Sequence, residues 1–203
     1  MEPLNDSNIH NAVILWNNNN KKAILKYGHI SDWDVSKITV MNKLFKYMWD
    51  FNDCINNWNV SNVTNMYEMF WNATSFNQIL NNWNVSNAKY MNSMFLNATS
   101  FNQNISNWNV SNVMYMNGMF QNAISFNQNI SNWNVSNECN ILNIFCFNTP
   151  IPFYKLKTTS FFDESYKNMD LLKRKKIFNI LFYWDGRKNF IMFLKNYGYI
   201  INT

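Results

Sequence analysis

Apolar residues recur along the chain in a fixed frame. Tryptophan stands at 33, 58, 83, 108 and 133, an interval of 25 residues. The columns around it keep step: Val35, Val60, Val85, Val110 and Val135; Met41, Met66, Met91 and Met116, with Ile141 in the fifth copy; Phe45, Phe70, Phe95, Phe120 and Phe145; Phe51, Phe76, Phe101 and Phe126. Ile30, Ile55, Leu80, Ile105 and Ile130 each precede a Trp by three residues. Asn, Ser and Thr fill most of the positions between. Self-similarity at such a period marks an array in which one unit cannot bury its own apolar stripe and stacking on neighbours does so.

Two apolar spacings coexist within a unit. Trp58 and Val60 are two apart, which predicts a short strand with Asn59 and Ser61 on the opposite face. Met66, Met69, Phe70 and Ala73 follow i, i+3, i+4, i+7, the stripe of a two-turn helix, with Thr64 or Asn65 placed to cap it. A strand followed by a crossover to a parallel neighbour is expected to be right-handed. The pattern therefore predicts an α/β fold: a right-handed leucine-rich-repeat-like solenoid, one short strand and one short helix per 25-residue repeat, with helical caps at both ends. The expected division is a helical N-terminal cap over 1–29, five repeats over 30–146 with the last degenerate, and a basic helical C-terminal cap over 147–203.

The caps are read from the ends of the array. Ser7 is placed to open a helix carrying Ile9, Val13 and Trp16, and Ala23, Ile24 and Tyr27 continue an apolar face until Gly28. Pro150 and Pro152 mark the other boundary. Beyond them, Leu171, Ile177, Ile180, Leu181 and Trp184 predict one helix, and Phe190, Phe193, Leu194 and Tyr197 a second. Their outer positions are basic: Lys173, Arg174, Lys175, Lys176, Arg187 and Lys188. One reading is a solvated cap surface; the other is an electrostatic site for nucleic acid, an acidic partner or a membrane surface.

Composition narrows the classes. Over 203 residues, 47% hydrophobic and 18% aromatic content with 12 Met supplies a core and speaks against disorder. Asn occupies 42 positions and Gly only 4, so glycine-rich phosphate loops are excluded. Residues 1–146 hold 7 Lys against 8 acidic residues, whereas 147–203 hold 10 Lys and Arg against 4, so the net charge of +5 belongs to the tail. Cys54, Cys139 and Cys146 show neither disulfide nor zinc spacing. His10 and His29 lack ligand-spaced partners and read as surface or cap residues. The pairs Asp32 with Asp34 and Asp50 with Asp53 occur in the first repeat alone, and no base recurs beside Ser36, Ser61, Ser86, Ser111 and Ser136. No nucleophile, base and orienter can be assembled, so no enzyme, cofactor or metal is expected. The early apolar stretch Ala12–Trp16 is too short for a signal peptide or a membrane span, which predicts an intracellular location in a cytoplasm, a host cytoplasm or a virion. The ten Asn-x-Ser/Thr sequons then read as a by-product of Asn richness.

The stretch Trp58-Asn-Val-Ser-Asn-Val-Thr-Asn-Met-Tyr-Glu-Met-Phe-Trp-Asn-Ala-Thr-Ser-Phe-Asn-Gln78 resembles the unit W-D-V-S-N-V-T-N-M-x-x-M-F-x-x-A-x-x-F-N-Q of the BspA-like leucine-rich repeats found in mycoplasma surface lipoproteins. The resemblance covers about residues 30 to 146. It implies a repeat protein of unknown function, and similar repeats occur in proteins of large DNA viruses and some algae. Two departures stand out. The Asp after Trp persists only as Asp34 and becomes Asn59, Asn84, Asn109 and Asn134, and no lipid-anchor Cys or signal is found. The surface-adhesin role of secreted members is therefore an alternative reading, not the leading one.

The candidate binding residues are the exposed columns beside Trp: Asp34, Asn59, Asn84, Asn109 and Asn134, with Asn57, Asn82, Asn107 and Asn132 two residues earlier. They either meet another protein, as solenoid faces do, or hydrogen-bond along the array. The leading expectation is a monomeric, non-catalytic scaffold for protein–protein interaction. The first alternative is nucleic-acid or anionic-surface binding through the basic tail. Deleting one 25-residue unit is expected to leave a folded, shorter protein, checked by a single cooperative thermal unfolding transition.

Overall fold

In the computed structural model, residues 1–128, 130, 133–136, 138–142 and 144 are described. Two helices open the chain, α1 over Ile9–Asn18 and α2 over Asn20–Tyr27, followed by a short 3-10 turn at Ile30–Asp32. Ser7 does not cap α1: its hydroxyl donates to Asn5 Oδ1, and Asn8 holds the cap position without a side-chain bond. Asn19 does cap α2, accepting from the Lys22 N–H at 3.0 Å.

The repeats correct the expected fold. Among the described residues they contain no strand and no helix, so the leucine-rich-repeat-like solenoid of strand-plus-helix units is not what this sequence builds. Each unit is instead a chain of tight turns, and units touch through single parallel bridges: Val40 to Asn65, Asn65 to Tyr90, Tyr90 to Tyr115 and Tyr115 to Asn140. The helical cap expected over 147–203, with Lys173, Arg174, Lys175, Lys176, Arg187 and Lys188, lies outside the described residues.

Backbone hydrogen bonding explains the result. In the second unit the Val63 N–H donates to Val60 O at 2.9 Å, Met69 to Met66 O at 3.2 Å, Ala73 to Phe70 O at 3.0 Å and Phe76 to Ala73 O at 3.1 Å. Donor and acceptor of every one of these turns are buried core residues. The intervening N–H groups leave the unit: Met66 donates to Tyr90 O at 2.8 Å, Glu68 to Asn92 O at 3.1 Å, Phe70 to Met94 O at 2.8 Å and Asn72 to Leu96 O at 2.8 Å. One N–H closes a turn and the next reaches forward to the following layer. Neither a continuous helix nor a continuous ladder forms, yet the buried amides are satisfied. The spacing i, i+3, i+4, i+7 comes from successive three-residue turns, not from a 3.6-residue helix.

Stacking then puts like on like. Phe45, Phe70, Phe95 and Phe120 stack at centroid distances of 5.2, 5.3 and 5.7 Å, and Phe51, Phe76, Phe101 and Phe126 at 5.8, 6.0 and 5.8 Å. Within each layer the two columns meet at 3.9 to 4.1 Å. Each aromatic pair adds about 0.5–1.5 kcal/mol beyond its buried area. Trp58, Trp83, Trp108 and Trp133 donate Nε1–H to the carbonyls of Ile30, Ile55, Leu80 and Ile105 in the preceding layer, at 2.8, 3.0, 3.1 and 3.0 Å. The indoles thus fill the core and tie the layers together.

The turns demand left-handed backbone at two columns. Lys43, Glu68, Ser93 and Gly118 have φ of 61°, 56°, 56° and 64°, and Tyr47, Asn72, Asn97 and Asn122 have 62°, 60°, 57° and 57°. Only Gly118 occupies such a position without Cβ strain, and Asn is the non-glycine residue that best tolerates it. Asn also gains partners there: Asn97 Nδ2 donates to Asn72 Oδ1 at 2.7 Å, and Asn122 Nδ2 to Asn97 Oδ1 at 2.8 Å. Asn97→Ala is expected to lose both advantages, about 2 kcal/mol, and Asn97→Gly only the ladder, about 1 kcal/mol, in urea-denaturation stability.

Candidate binding face

The exposed columns sit on the turn corners next to the parallel bridges. Asp34, Asn59, Asn84, Asn109 and Asn134 are all exposed, as are Asn57, Asn82 and Asn107; Asn132 lies outside the described residues. The first column is not an amide ladder. Asp34, Asn59, Asn84 and Asn109 each accept the backbone N–H two residues on, from Ser36, Ser61, Ser86 and Ser111, at 3.0, 3.2, 3.1 and 3.1 Å. These are local side-chain turns, which Asp and Asn perform equally well. In the second column Asn107 Nδ2 donates to Asn81 O at 2.6 Å, while the Asn82 N–H donates to Asn56 Oδ1 at 3.1 Å.

These two contacts join adjacent layers, and further amide contacts that do so lie outside the proposed columns. Asn62, Asn87 and Asn112 donate Nδ2–H to Ser36 O, Ser61 O and Ser86 O at 2.8, 2.7 and 2.8 Å. Asn52, Asn77 and Asn102 each accept the N–H of the residue 25 positions on, all at 2.9 Å. Three residues past Asn87 and Asn112 stand features the sequence reading missed. Tyr90 and Tyr115 stack at 5.5 Å with an interplanar angle of 6°, and both remain exposed, as do Lys89 and Met114. Their 25-residue separation was visible in the sequence, but Val40, Asn65 and Asn140 complete the column and hide it.

Among the described residues charge is concentrated near the N-terminus. Glu68 is the buried acidic group, held by Lys46 Nζ at 2.7 Å with Lys43 Nζ at 3.9 Å, and Lys46 also lies 3.6 Å above the Trp71 ring centroid. The Tyr67 hydroxyl, hydrogen-bonded to Glu68 and partly desolvated, is pushed up to about 12. The first layer has no predecessor, so side chains replace one. Asp6 Oδ1 accepts the Thr39 and Val40 N–H groups at 2.8 and 3.2 Å, and Asp6 Oδ2 accepts the Thr39 hydroxyl at 2.6 Å. In later layers the corresponding amides use a carbonyl, as Thr64 and Asn65 use Thr39 O at 2.9 and 3.4 Å. His10 Nε2 lies 2.8 Å from Asn42 O, where an amide of a preceding layer would otherwise donate. Among the described residues no group of three His, Cys, Asp or Glu could hold a metal ion, and no helix is long and apolar enough to cross a membrane.

The geometry defines a repeat protein of stacked, turn-built layers. The chain matches, over residues 15–113 and again over residues 82–179, the family described as Mycoplasma protein of unknown function, DUF285. The two matches together span most of the sequence, and the chain belongs to that family. No curated protein and no solved structure matched it.

The Asp6 contact carries a pH dependence. Burial pushes its carboxyl up, but the Thr39 hydroxyl and the Thr39 and Val40 N–H groups outweigh this and leave it below its ordinary value. A carboxylate lowered in the folded state stabilises fully above the unfolded value of about 4 and ceases to do so as pH falls through the folded one. Asp6→Asn is expected to cost about 1 kcal/mol at neutral pH and to narrow the difference in urea midpoint between about pH 7 and pH 3.

Proposed function

We propose that this family member is a non-catalytic, intracellular scaffold that binds another protein through the face bearing the Asx turns and the Tyr90–Tyr115 pair. The observation that carries the reading is that pair: two stacked, exposed tyrosines on a face whose backing residues Val85, Met91, Val110 and Met116 are buried. Exposed aromatics held rigid by a packed core lose little entropy on binding, and Tyr is a residue type enriched at interface centres. The Asx turns support the reading in a different way. Because Asn59, Asn84 and Asn109 use Oδ1 to hold their own corners, they fix the shape of the surface.

Capture from the native cell with the full chain and with Tyr90→Ser/Tyr115→Ser tests this. The expected result is one or more proteins retained at both low and high salt by the unmodified chain and lost with the double variant. Retention that ignores the tyrosines, disappears at high salt and requires Lys173, Arg174, Lys175 and Lys176 overturns it in favour of an anionic partner of the tail.

A further inference from the structure

The second helix of the cap has an outward face that the repeat array does not use. The buried residues of α2, Ala23 and Tyr27, lie one turn apart and define the side turned to the core. Leu25 stands two positions from each, about 200° around the helix, so it points directly away from that core, and it is 85% exposed. Lys21 and Lys22, one turn earlier and both exposed, flank it on the same side. Ile24 beside it is 43% exposed. Met1, 93% exposed, lies against Gly28 at the end of the helix, where the Glu2 N–H donates to Lys26 O at 2.9 Å.

Charge on this face is one-sided. Glu2 is paired with Lys26 at 3.1 Å, and Asp6 is turned to the first layer, where it accepts from Thr39 and Val40. Asp32 lies beyond the turn at Gly28 and accepts the Ser31 hydroxyl. Among the described residues Lys21 and Lys22 have no anionic partner. The face therefore presents two unpaired ammonium groups around an apolar side chain held in water.

That combination selects the occupant. An acidic protein would answer the lysines but would have to build a fitted pocket for each apolar tip, and an eight-residue helix, about 12 Å long and convex, offers it little contiguous area. An anionic lipid surface meets both demands without a fitted shape. Lipid chains close around each protruding side chain, and lysine stems run along it while their ammonium groups stay at the level of the phosphates. We propose that the outer face of α2, with Leu25 between Lys21 and Lys22, docks on an anionic lipid surface. The helix lies in the interface and does not span it, since no helix among the described residues is long and apolar enough to cross a membrane. This contact uses the cap alone, so it and the Tyr90–Tyr115 face stand or fall separately.

Co-sedimentation of the full chain with vesicles of mixed phosphatidylcholine and phosphatidylserine, against vesicles of phosphatidylcholine alone, tests the docking. The unmodified chain is expected to pellet with the mixed vesicles, to stay in solution with the uncharged ones, and to bind less as salt is added. Leu25→Gln keeps every charge and is expected to weaken binding roughly tenfold. Lys21→Gln/Lys22→Gln is expected to weaken it roughly tenfold or more. Thermal unfolding checks that the variants fold; a Leu25→Gln chain that does not fold shows that Leu25 is not free, and overturns the proposal. Failure to pellet with the mixed vesicles overturns it too. So does binding that ignores Leu25, which the basic residues of the tail then explain, and so does retention on polyglutamate with the vesicles left unbound, which assigns the lysines to an acidic protein.

Discussion

Everything in this structure depends on how one amide alternates with the next. Between Met66 and Ala73 one N–H closes a turn onto a buried carbonyl of its own layer, and the next crosses to a carbonyl of the following layer. A single layer satisfies half of these groups, and only a neighbour satisfies the rest. The aromatic columns make the same demand in apolar terms, because Phe70 buried in one layer is covered above and below by Phe95 and Phe45. Polar and apolar requirements are thus met by one operation, the addition of another layer.

The first layer shows what this arrangement costs at an edge. Nothing precedes it, and the N-terminal segment supplies imitations: a carboxylate from Asp6 in place of a carbonyl and a ring nitrogen from His10 in place of an amide. Trp33 likewise turns to Gly28 O at 3.0 Å, since no earlier repeat offers the carbonyl that Trp58 finds at Ile30. α1 and α2 position these groups and shield the first indole, with Trp16 set edge-on to Trp33 at 6.1 Å. The helices are therefore understood through the few side chains they deliver.

The repeat, its phase and its core were legible in the sequence, because burial was written into Trp, Val, Met and Phe at fixed intervals. The secondary structure was not. A buried position every three residues looks like a helix wherever a four-residue step intervenes, as between Met66 and Phe70, and like a strand wherever a two-residue step does, as between Trp58 and Val60. Periodicity reports which residues face inward and not which carbonyl an amide chooses. The Asn column beside Trp is exposed, and Asn59, Asn84 and Asn109 hold local corners, while layers are joined by Asn62, Asn72, Asn77 and their equivalents. Residues outside the repeat, such as Asp6, left no signal because nothing in the sequence recurs at their position.

The crossing amides run both ways. From Met41 through Tyr47 they point toward higher residue numbers, while those of Thr64, Asn65 and Ser75, and their equivalents in the next layers, point back. The two sets of peptide dipoles oppose each other along the axis, where those of a helix all add. A layer therefore presents donors and acceptors together on each of its two sides, and a repeat can be inserted without building up charge at either end.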